Sequence, residues 1–225
     1  MMEFKKLIII AVGIAIAMQS FAAYKTGSNK SSKPDGYVNH HGYVDLGLPS
    51  GLKWATCNIG ASSPSDYGNY YAWGETTTKL SYDEANSLTY GKDVSALQAA
   101  GIIGASGNLT MQYDAAWANW GGSWRMPTKE ECEELERVCK WTWTIRGGHK
   151  GYKITGPNGH SIFLPAAGWR EESSLSFAGD YGFLWSSTPD ESNIQRAFSP
   201  NFSRSSYYVG GDNRDNGRSV RPVLK

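Results

Sequence analysis

The sequence predicts an α+β fold with short strands, one or two helices and much irregular loop. Three observations support this prediction: a hairpin pattern between residues 152 and 164, a capping box that opens a helix at Thr128, and a composition with 26 Gly, 9 Pro and 9 Trp among 225 residues. So many turn-forming residues leave little room for long regular elements. The Trp residues can fill a core between the loops.

The composition excludes several classes of protein. Aromatic residues make up 13% of the chain and charged residues 19%, whereas disordered chains are rich in charge and poor in aromatic residues. The formal net charge is +1 at pH 7, so we expect no general attraction to nucleic acid or to an anionic membrane. A chain of 225 residues can bury a sizeable core.

Residues 1–22 are typical of a secretory signal peptide. Lys5 and Lys6 precede an apolar run at residues 7–18, which is too short to span a bilayer, since a spanning helix needs about 20 residues. Ser20 and Ala22 place small residues before the expected cleavage site. We therefore predict an exported protein that resides in the periplasm, at the cell surface or outside the cell, with no membrane anchor after cleavage. The alternative is an uncleaved anchor.

The rest of the chain is predicted to consist of a linker and one domain. Residues 23–42 are rich in Lys, Ser, Gly and Asn and resemble a polar tether, in which His40 and His41 form a solvated pair. Apolar and aromatic residues recur from Tyr43 onward without a change in composition. Residues 43–225 are therefore predicted to form a single domain.

Three segments have helical signals. The clearest begins after Thr128, where Glu131 completes a capping box, apolar residues follow at helical spacing, and Glu134 is expected on the solvated side. Shorter helices are predicted over residues 94–100, which Gly101 ends, and over residues 114–119, ahead of Gly121 and Gly122.

The other regular segments are predicted as short strands. Residues 152–155 and 160–164 form the hairpin pattern, because Asn158 and Gly159 between them favour the positive φ angles of a tight turn. Further strands are predicted at residues 52–57, 70–73, 141–145, 183–187, 197–202 and 219–223.

The three cysteines are Cys57, Cys132 and Cys139, and export permits disulfide bonds. Cys132 and Cys139 lie two turns apart on one predicted helix, about 10 Å, which is too far to bridge. A disulfide therefore has to include Cys57, and we predict Cys57–Cys139, with Cys132 free and buried. The alternative is three buried thiols.

Large aromatic and basic residues are assigned to the interior. The predicted core tryptophans are Trp54, Trp73, Trp124, Trp141, Trp143 and Trp185. Arg125 and Arg221 are predicted to make buried or half-buried polar contacts that fix loops, because guanidinium presents a planar fork of donors.

No motif for catalysis or metal binding stands out. A nucleophile elbow, a glycine-rich phosphate loop and a zinc-binding helix are absent from the sequence. Residues 212–217 have the composition of a calcium loop, but Arg214 stands where an oxygen ligand is needed. We predict no catalytic residue, no cofactor and no metal site, and calcium stays open as an alternative.

Residues 193–216 are the candidate ligand-binding segment. They are dense in Tyr, Ser, Asn, Arg, Gly and Asp, a mixture that favours binding because Tyr offers rigid amphipathic area and small polar side chains adapt their hydrogen bonds. Tyr207 and Tyr208 are the predicted anchors. The alternative is a plain polar loop. The predicted site residues are Arg196, Asn201, Arg204, Ser206, Tyr207, Tyr208, Asp212, Asn213, Arg214, Asp215 and Asn216.

Seven segments, in order along the chain, carry a family resemblance. They are residues 43–58 (YVDLGLPSGLKWATCN), 71–76 (YAWGET), 120–128 (WGGSWRMPT), 151–159 (GYKITGPNG), 163–168 (FLPAAG), 185–187 (WSS) and 217–223 (GRSVRPV). The chain resembles the Fibrobacter succinogenes major paralogous domain, a family abundant in exported proteins of gut Bacteroidetes. Members commonly have Trp where Cys132 stands.

The resemblance implies a C-type-lectin-like fold, akin to formylglycine-generating enzymes and to variable proteins that retroelements diversify. Those enzymes act through a pair of C-terminal cysteines, and no Cys follows Cys139 here. Calcium-dependent lectins use Glu-Pro-Asn or Gln-Pro-Asp with Trp-Asn-Asp, of which this chain has only Thr188-Pro189-Asp190. The variable proteins carry their diversified residues just before a closing strand like residues 217–223, the place that residues 193–216 occupy here.

We therefore expect an exported, non-catalytic module that binds a protein or a carbohydrate outside the inner membrane through residues 193–216. We hypothesise that a diversity-generating retroelement varies this segment. One alternative function is a structural component of a surface assembly. Another is an enzyme of the formylglycine-generating type.

Overall fold

The fold is α+β and sheet-rich, and its strands are short. The computed structural model describes residues 33–225, so the predicted signal peptide and the first part of the predicted linker lie outside the described residues. The strands in this range are β1 (Gly36–Val38), β2 (His41–Asp45), β3 (Lys53–Ala55), β4 (Lys140–Arg146), β5 (His149–Thr155), β6 (Ser161–Pro165), β7 (Trp169–Glu171), β8 (Ser174–Ser176), β9 (Tyr181–Phe183), β10 (Arg196–Ser203), β11 (Tyr207–Asn213) and β12 (Val223–Leu224).

These strands form four small antiparallel sheets. One has the strand order β1-β2-β3-β12, which joins the two ends of the described chain. The others have the orders β9-β10-β11, β4-β5-β6 and β7-β8. The hairpin predicted near residues 152–164 is confirmed as β5 and β6, with Thr155 opposite Ser161.

Residues 36–42 correct the predicted linker, because they form a hairpin rather than a tether. Val38 lies opposite His41, so Asn39 and His40 make a two-residue turn with φ angles of 46° and 67°. Two positive φ angles are typical of a type I′ turn, whose twist matches that of paired strands. His41 is not a solvated residue, because its ring stacks on Trp120 at a centroid distance of 3.8 Å.

The described residues contain three α-helices, one more than the upper number expected for the fold class. They are α1 (Val94–Ala99), α2 (Ala115–Trp120) and α3 (Lys129–Val138), and they match the three segments with helical signals. The capping box of Thr128 and Glu131 at the start of α3 is confirmed. Glu134 was wrongly expected on the solvated side: it is buried and accepts hydrogen bonds from the amide and the hydroxyl of Ser50, at 3.0 and 2.5 Å.

Three strand predictions are only partly right. Residues 70–73 contribute one bridge between Tyr71 and Arg218 rather than a strand. β9 ends at Phe183, where the sequence predicted a strand to begin, and residues 219–223 contribute only the start of β12. These segments are almost fully buried, so their apolar residues reflect core packing rather than strand pairing.

Two large apolar clusters fill the interior. The first surrounds Trp54 and includes Leu135 of α3 and Phe202 of β10. The second surrounds Trp73 and Trp185. Trp124 is also buried, as predicted, whereas Trp141 and Trp143 are half-buried residues that pack against the first cluster.

All three cysteines are free thiols, so the predicted disulfide between Cys57 and Cys139 is wrong. Cys139 belongs to the first apolar cluster, together with Cys132. Cys57 is half-buried and interacts with the charges of Arg146 and Arg221, outside that cluster. The two thiols of the predicted pair therefore lie in different environments. Cys132 is free and buried, as predicted.

Within residues 33–225, no helix is long and apolar enough to cross a membrane.

Candidate ligand-binding face

The C-terminal hairpin presents one face that is open in part, because Ala197 on the same side belongs to the second apolar cluster. β10 pairs along its length with β11 and at its end with β9, and the register aligns Phe183, Asn201 and Tyr208 across the three strands. Directly opposed residues project to the same side of a sheet. We call this side, with Phe183, Asn201, Tyr208 and Asp212, the outer face. The inner face carries Phe202 and Val209, which pack on the first apolar cluster.

Tyr208 lies along the outer face rather than standing away from it. Its side chain is 54% exposed, and its ring passes so close to Gly210 that a Cβ at that position would lie 2.7 Å from Tyr208 Cε2. Glycine is therefore required for the ring to lie over the strand. Beside it, Asn201 is buried, and its Oδ1 accepts a hydrogen bond from Ser199 at 3.0 Å.

A groove of about 280 Å³ opens at one end of the outer face. We call it the Arg218 groove. The Arg218 guanidinium lies 4.5 Å from the centroid of the Phe183 ring and 4.8 Å from that of Trp185, and its Nη2 makes an ion pair with Asp212 Oδ1 at 3.0 Å. Burial lowers the pKa of Arg218, and Asp212 opposes that shift. The lining residues are Trp169, Glu171, Phe183, Arg196, Gly211, Asp212, Asn213, Asn216 and Arg218.

A second, larger groove of about 750 Å³ adjoins the turn between β10 and β11. We call it the Lys150 groove, after the residue whose Nζ bridges to Asp180 Oδ1 at 3.0 Å. Its apolar walls are Trp143 and Ile145 on one side and Phe177 on the other. Arg204 lines the same groove, so one predicted site residue lies here.

Four aromatic rings connect the two grooves. Trp169 stacks on Phe177 at 4.9 Å and meets the edge of Phe183 at 5.0 Å, while Tyr181 lies 5.5 Å from Phe177 and 6.4 Å from Phe183. Phe177 and Tyr181 are 56% and 44% exposed. Phe177 also has a φ of +55°, an unusual backbone conformation for an aromatic residue. We call these four rings the aromatic ridge.

The structure divides the predicted site residues into three groups. Arg196, Arg204, Ser206, Tyr207 and Tyr208 are exposed. Asp212 and Asn213 are half-buried and line the Arg218 groove. Asn201, Arg214, Asp215 and Asn216 are buried, so they do not form the open loop surface that the sequence predicted. Of these four, Asn216 lines the Arg218 groove.

Arg214 is the clearest correction, because it is fully buried and fixes loops. Its Nε donates to the carbonyl of Arg196 at 2.8 Å, and its Nη1 donates to the carbonyls of Lys92 at 2.8 Å and Thr89 at 3.2 Å. The guanidinium also lies 4.9 Å from the Trp73 ring centroid. Burial lowers the pKa of Arg214 to about 10, so it stays charged at neutral pH.

Tyr207 and Tyr208 are not adjacent anchors, because successive residues of a strand project to opposite faces. Tyr207 stacks on Trp141 at 4.6 Å with nearly parallel rings, and Tyr152 meets its edge at 5.8 Å. Tyr207, one of the two predicted anchors, therefore packs in part against other rings of the protein. Only Tyr208 lies on the outer face.

Sequence reasoning missed the aromatic ridge, because Trp169, Phe177 and Tyr181 precede the segment chosen for its composition. A signal was present: residues 169–183 place four aromatic rings among small and charged residues, which do not form an apolar stripe. Aromatic rings without the regular spacing of an apolar face favour a cluster at the surface.

No group of three or more His, Cys, Asp or Glu side chains that could hold a metal ion occurs among the described residues. Asp215, which lies within the segment of calcium-loop composition at residues 212–217, is buried, and burial raises the pKa of its carboxyl group.

Comparison with known proteins gives one family match, which covers a third of the chain. A family model described as a domain of unknown function (DUF8237) matches residues 148–223. Both grooves draw most of their lining from this region. The comparisons with curated proteins and with solved structures give no match.

Proposed function

We propose that this protein is an exported, non-catalytic binding module whose ligand is held on the outer face of the β9-β10-β11 sheet. The observation that carries the proposal is the continuity of that face. Tyr208, the Arg218 groove and the aromatic ridge follow one another on one side of a small sheet. An exposed patch of aromatic rings bordered by polar residues is typical of an interaction site.

The scaffold beneath this face supports the same function. β10 and β11 pack on α3 and the first apolar cluster through Phe202 and Val209. Arg214 ties the end of β11 to the carbonyls of residues 89 and 92. Binding residues on rigid elements lose little conformational entropy when a ligand binds.

The proposal includes the C-type-lectin-like fold that the family resemblance implies. Few helices, several small sheets and a first sheet that joins the two chain ends agree with it at a coarse level. The hypothesis that a retroelement diversifies residues 193–216 applies only to the exposed positions of this segment. Diversified residues have to be exposed, so Arg196, Arg204, Ser206 and Tyr208 are candidates, whereas the buried Asn201 and Arg214 are not.

The proposal is tested by a screen of the purified protein against glycans and surface proteins, with and without calcium. We expect Tyr208→Ala to weaken any specific interaction at least tenfold, because the ring supplies the largest exposed area on the outer face. The matched control is Tyr37→Ala, which removes a ring that is 66% exposed on β1, away from this face.

Equal losses in the two variants would contradict the proposal. A folded sample that binds nothing and self-associates with rising concentration would favour the structural-assembly alternative instead.

A further inference from the structure

The Arg218 groove contains polar atoms that the protein itself leaves unpaired. Arg218 is only 3% exposed, yet its Nε and Nη1 have no hydrogen-bond partner within residues 33–225. The same holds for Asp212 Oδ2 and for Oδ1 of Asn216, which is 8% exposed. Buried polar atoms are nearly always paired in native structures, so unpaired atoms grouped around one groove indicate a missing partner.

The unpaired atoms are donors and acceptors side by side. Arg218 supplies two N–H donors, while Asp212 and Asn216 supply oxygen acceptors. A hydroxyl group donates one hydrogen bond and accepts others, so a ligand with several adjacent hydroxyls can satisfy both kinds of atom.

The charges around the groove favour a neutral ligand. Arg218 is already paired with Asp212, and the lining also includes one further acid, Glu171, and one further base, Arg196. A phosphate or carboxylate ligand would approach two carboxylates as closely as two guanidinium groups. An ammonium ligand would likewise approach two guanidinium groups as closely as two carboxylates.

The walls of the groove favour a small ring with apolar faces. Trp169 and Phe183 line it on the side of the aromatic ridge, and aromatic side chains pack well against C–H groups. The volume of about 280 Å³ is at the small end of the range for ligand pockets. It therefore suits a single ring better than an extended chain.

We propose that the Arg218 groove binds one neutral sugar residue of a glycan, without calcium. This inference rests on the proposed function and names the ligand class of the same face. The sugar hydroxyls bond to Arg218, Asp212 and Asn216, and one apolar side of its ring packs on Trp169.

The test is an NMR titration of the indole N–H signals with free glucose, galactose, mannose, fucose and N-acetylglucosamine, in the presence of EDTA. The nine tryptophans give nine such signals, and Trp169→Ala identifies its own by the loss of one. We expect at least one sugar to shift the Trp169 signal in a saturable manner. Replacing EDTA by calcium should leave the midpoint unchanged.

Two variants and a control locate the bound sugar. Asn216→Ala removes Oδ1, an acceptor that makes no hydrogen bond within the protein, so the variant should fold normally. It should bind the sugar about fivefold to tenfold more weakly, because the ligand loses one hydrogen bond. Trp169→Ala should abolish the effect on the other indole signals. Trp117→Ala removes a ring that is 38% exposed on α2, and it should bind as the unchanged protein does.

Absence of any sugar-induced shift in the Trp169 signal would overturn the inference, as would an unchanged midpoint in Asn216→Ala. If the sugars fail while a protein ligand depends on Tyr208, only this inference is wrong and the proposed function stands. If neither sugars nor the screened ligands bind, both are wrong.

Discussion

Buried arginines are the residues whose role the sequence indicates least directly. Arg221 was predicted to fix loops, and it does: its Nε donates to Asn58 Oδ1 at 2.8 Å and its Nη1 and Nη2 donate to the carbonyls of Ala55 and Phe163. Arg214 has the same kind of role but lies in a polar stretch, where an arginine is usually exposed. Two of its three partners, the carbonyls of Thr89 and Lys92, are 125 and 122 residues away along the chain, so local sequence cannot reveal them.

The cysteines give a prediction at the same scale. Burial raises the pKa of the Cys139 thiol to about 11 and that of Cys132 well above its usual range, and thiolates are the reactive form. We expect a thiol reagent at pH 8 to modify only Cys57 in the native protein and all three cysteines after unfolding. Mass spectrometry of the non-reduced protein checks this. A peptide pair linked through Cys57 and Cys139 would contradict it.

The raised pKa of Cys139 also determines how the free energy of unfolding changes with pH. Between the usual thiol pKa of 9.0 and about 11, the unfolded chain releases the Cys139 proton while the native state keeps it. The unfolded state then binds fewer protons, so the contribution of Cys139 to the free energy of unfolding falls as pH rises through this window. Below pH 9 this contribution is constant. Urea titrations of the native protein and of Cys139→Ala at pH 8 and pH 10 separate this contribution from those of other groups.

At the scale of elements, the first hairpin belongs to the folded unit. β2 pairs with β3, and Trp124 Nε1 donates to the carbonyl of Val38 at 2.9 Å. A chain that begins at residue 43 should have a free energy of unfolding at least about 2 kcal/mol lower than a chain that begins at residue 33, because it lacks a strand partner and leaves a buried donor unpaired. Urea denaturation of both truncated chains measures the difference.

Equal stabilities of the two truncated chains would restore the domain boundary at residue 43 that the sequence suggested.

Local signals decided which elements could be predicted. Thr128 and Glu131 specify the start of α3 within four residues, and Asn158-Gly159 specifies the β5-β6 turn in the same way. Residues 70–73 and 183–187 contain no comparable capping or turn signal. Their apolar character comes from distant partners, as in the hydrogen bond from Trp185 Nε1 to the carbonyl of Tyr71 at 2.8 Å. The turn at Asn39 and His40 was missed because neither residue is glycine.

At the scale of the whole molecule, the candidate site combines segments that composition alone cannot join. Residues 193–216 were chosen for their side-chain types. Tyr208 and Asp212 do lie on the outer face, and Asn213 lines the Arg218 groove. Trp169 and Arg218 come from outside that range, brought there by β7 and by the segment before β12. Tyr207 lies on the inner side instead, because successive side chains of a strand project to opposite faces.

The central claim is that a ligand occupies the outer face. It is tested most directly by hydrogen–deuterium exchange of the protein with and without the first ligand that the screen retains. We predict slower amide exchange in β9, β11 and residues 214–218, with little change in β1, β2 and α2. Protection confined to β1, β2 and α2, with β9 and β11 unchanged, would contradict the claim.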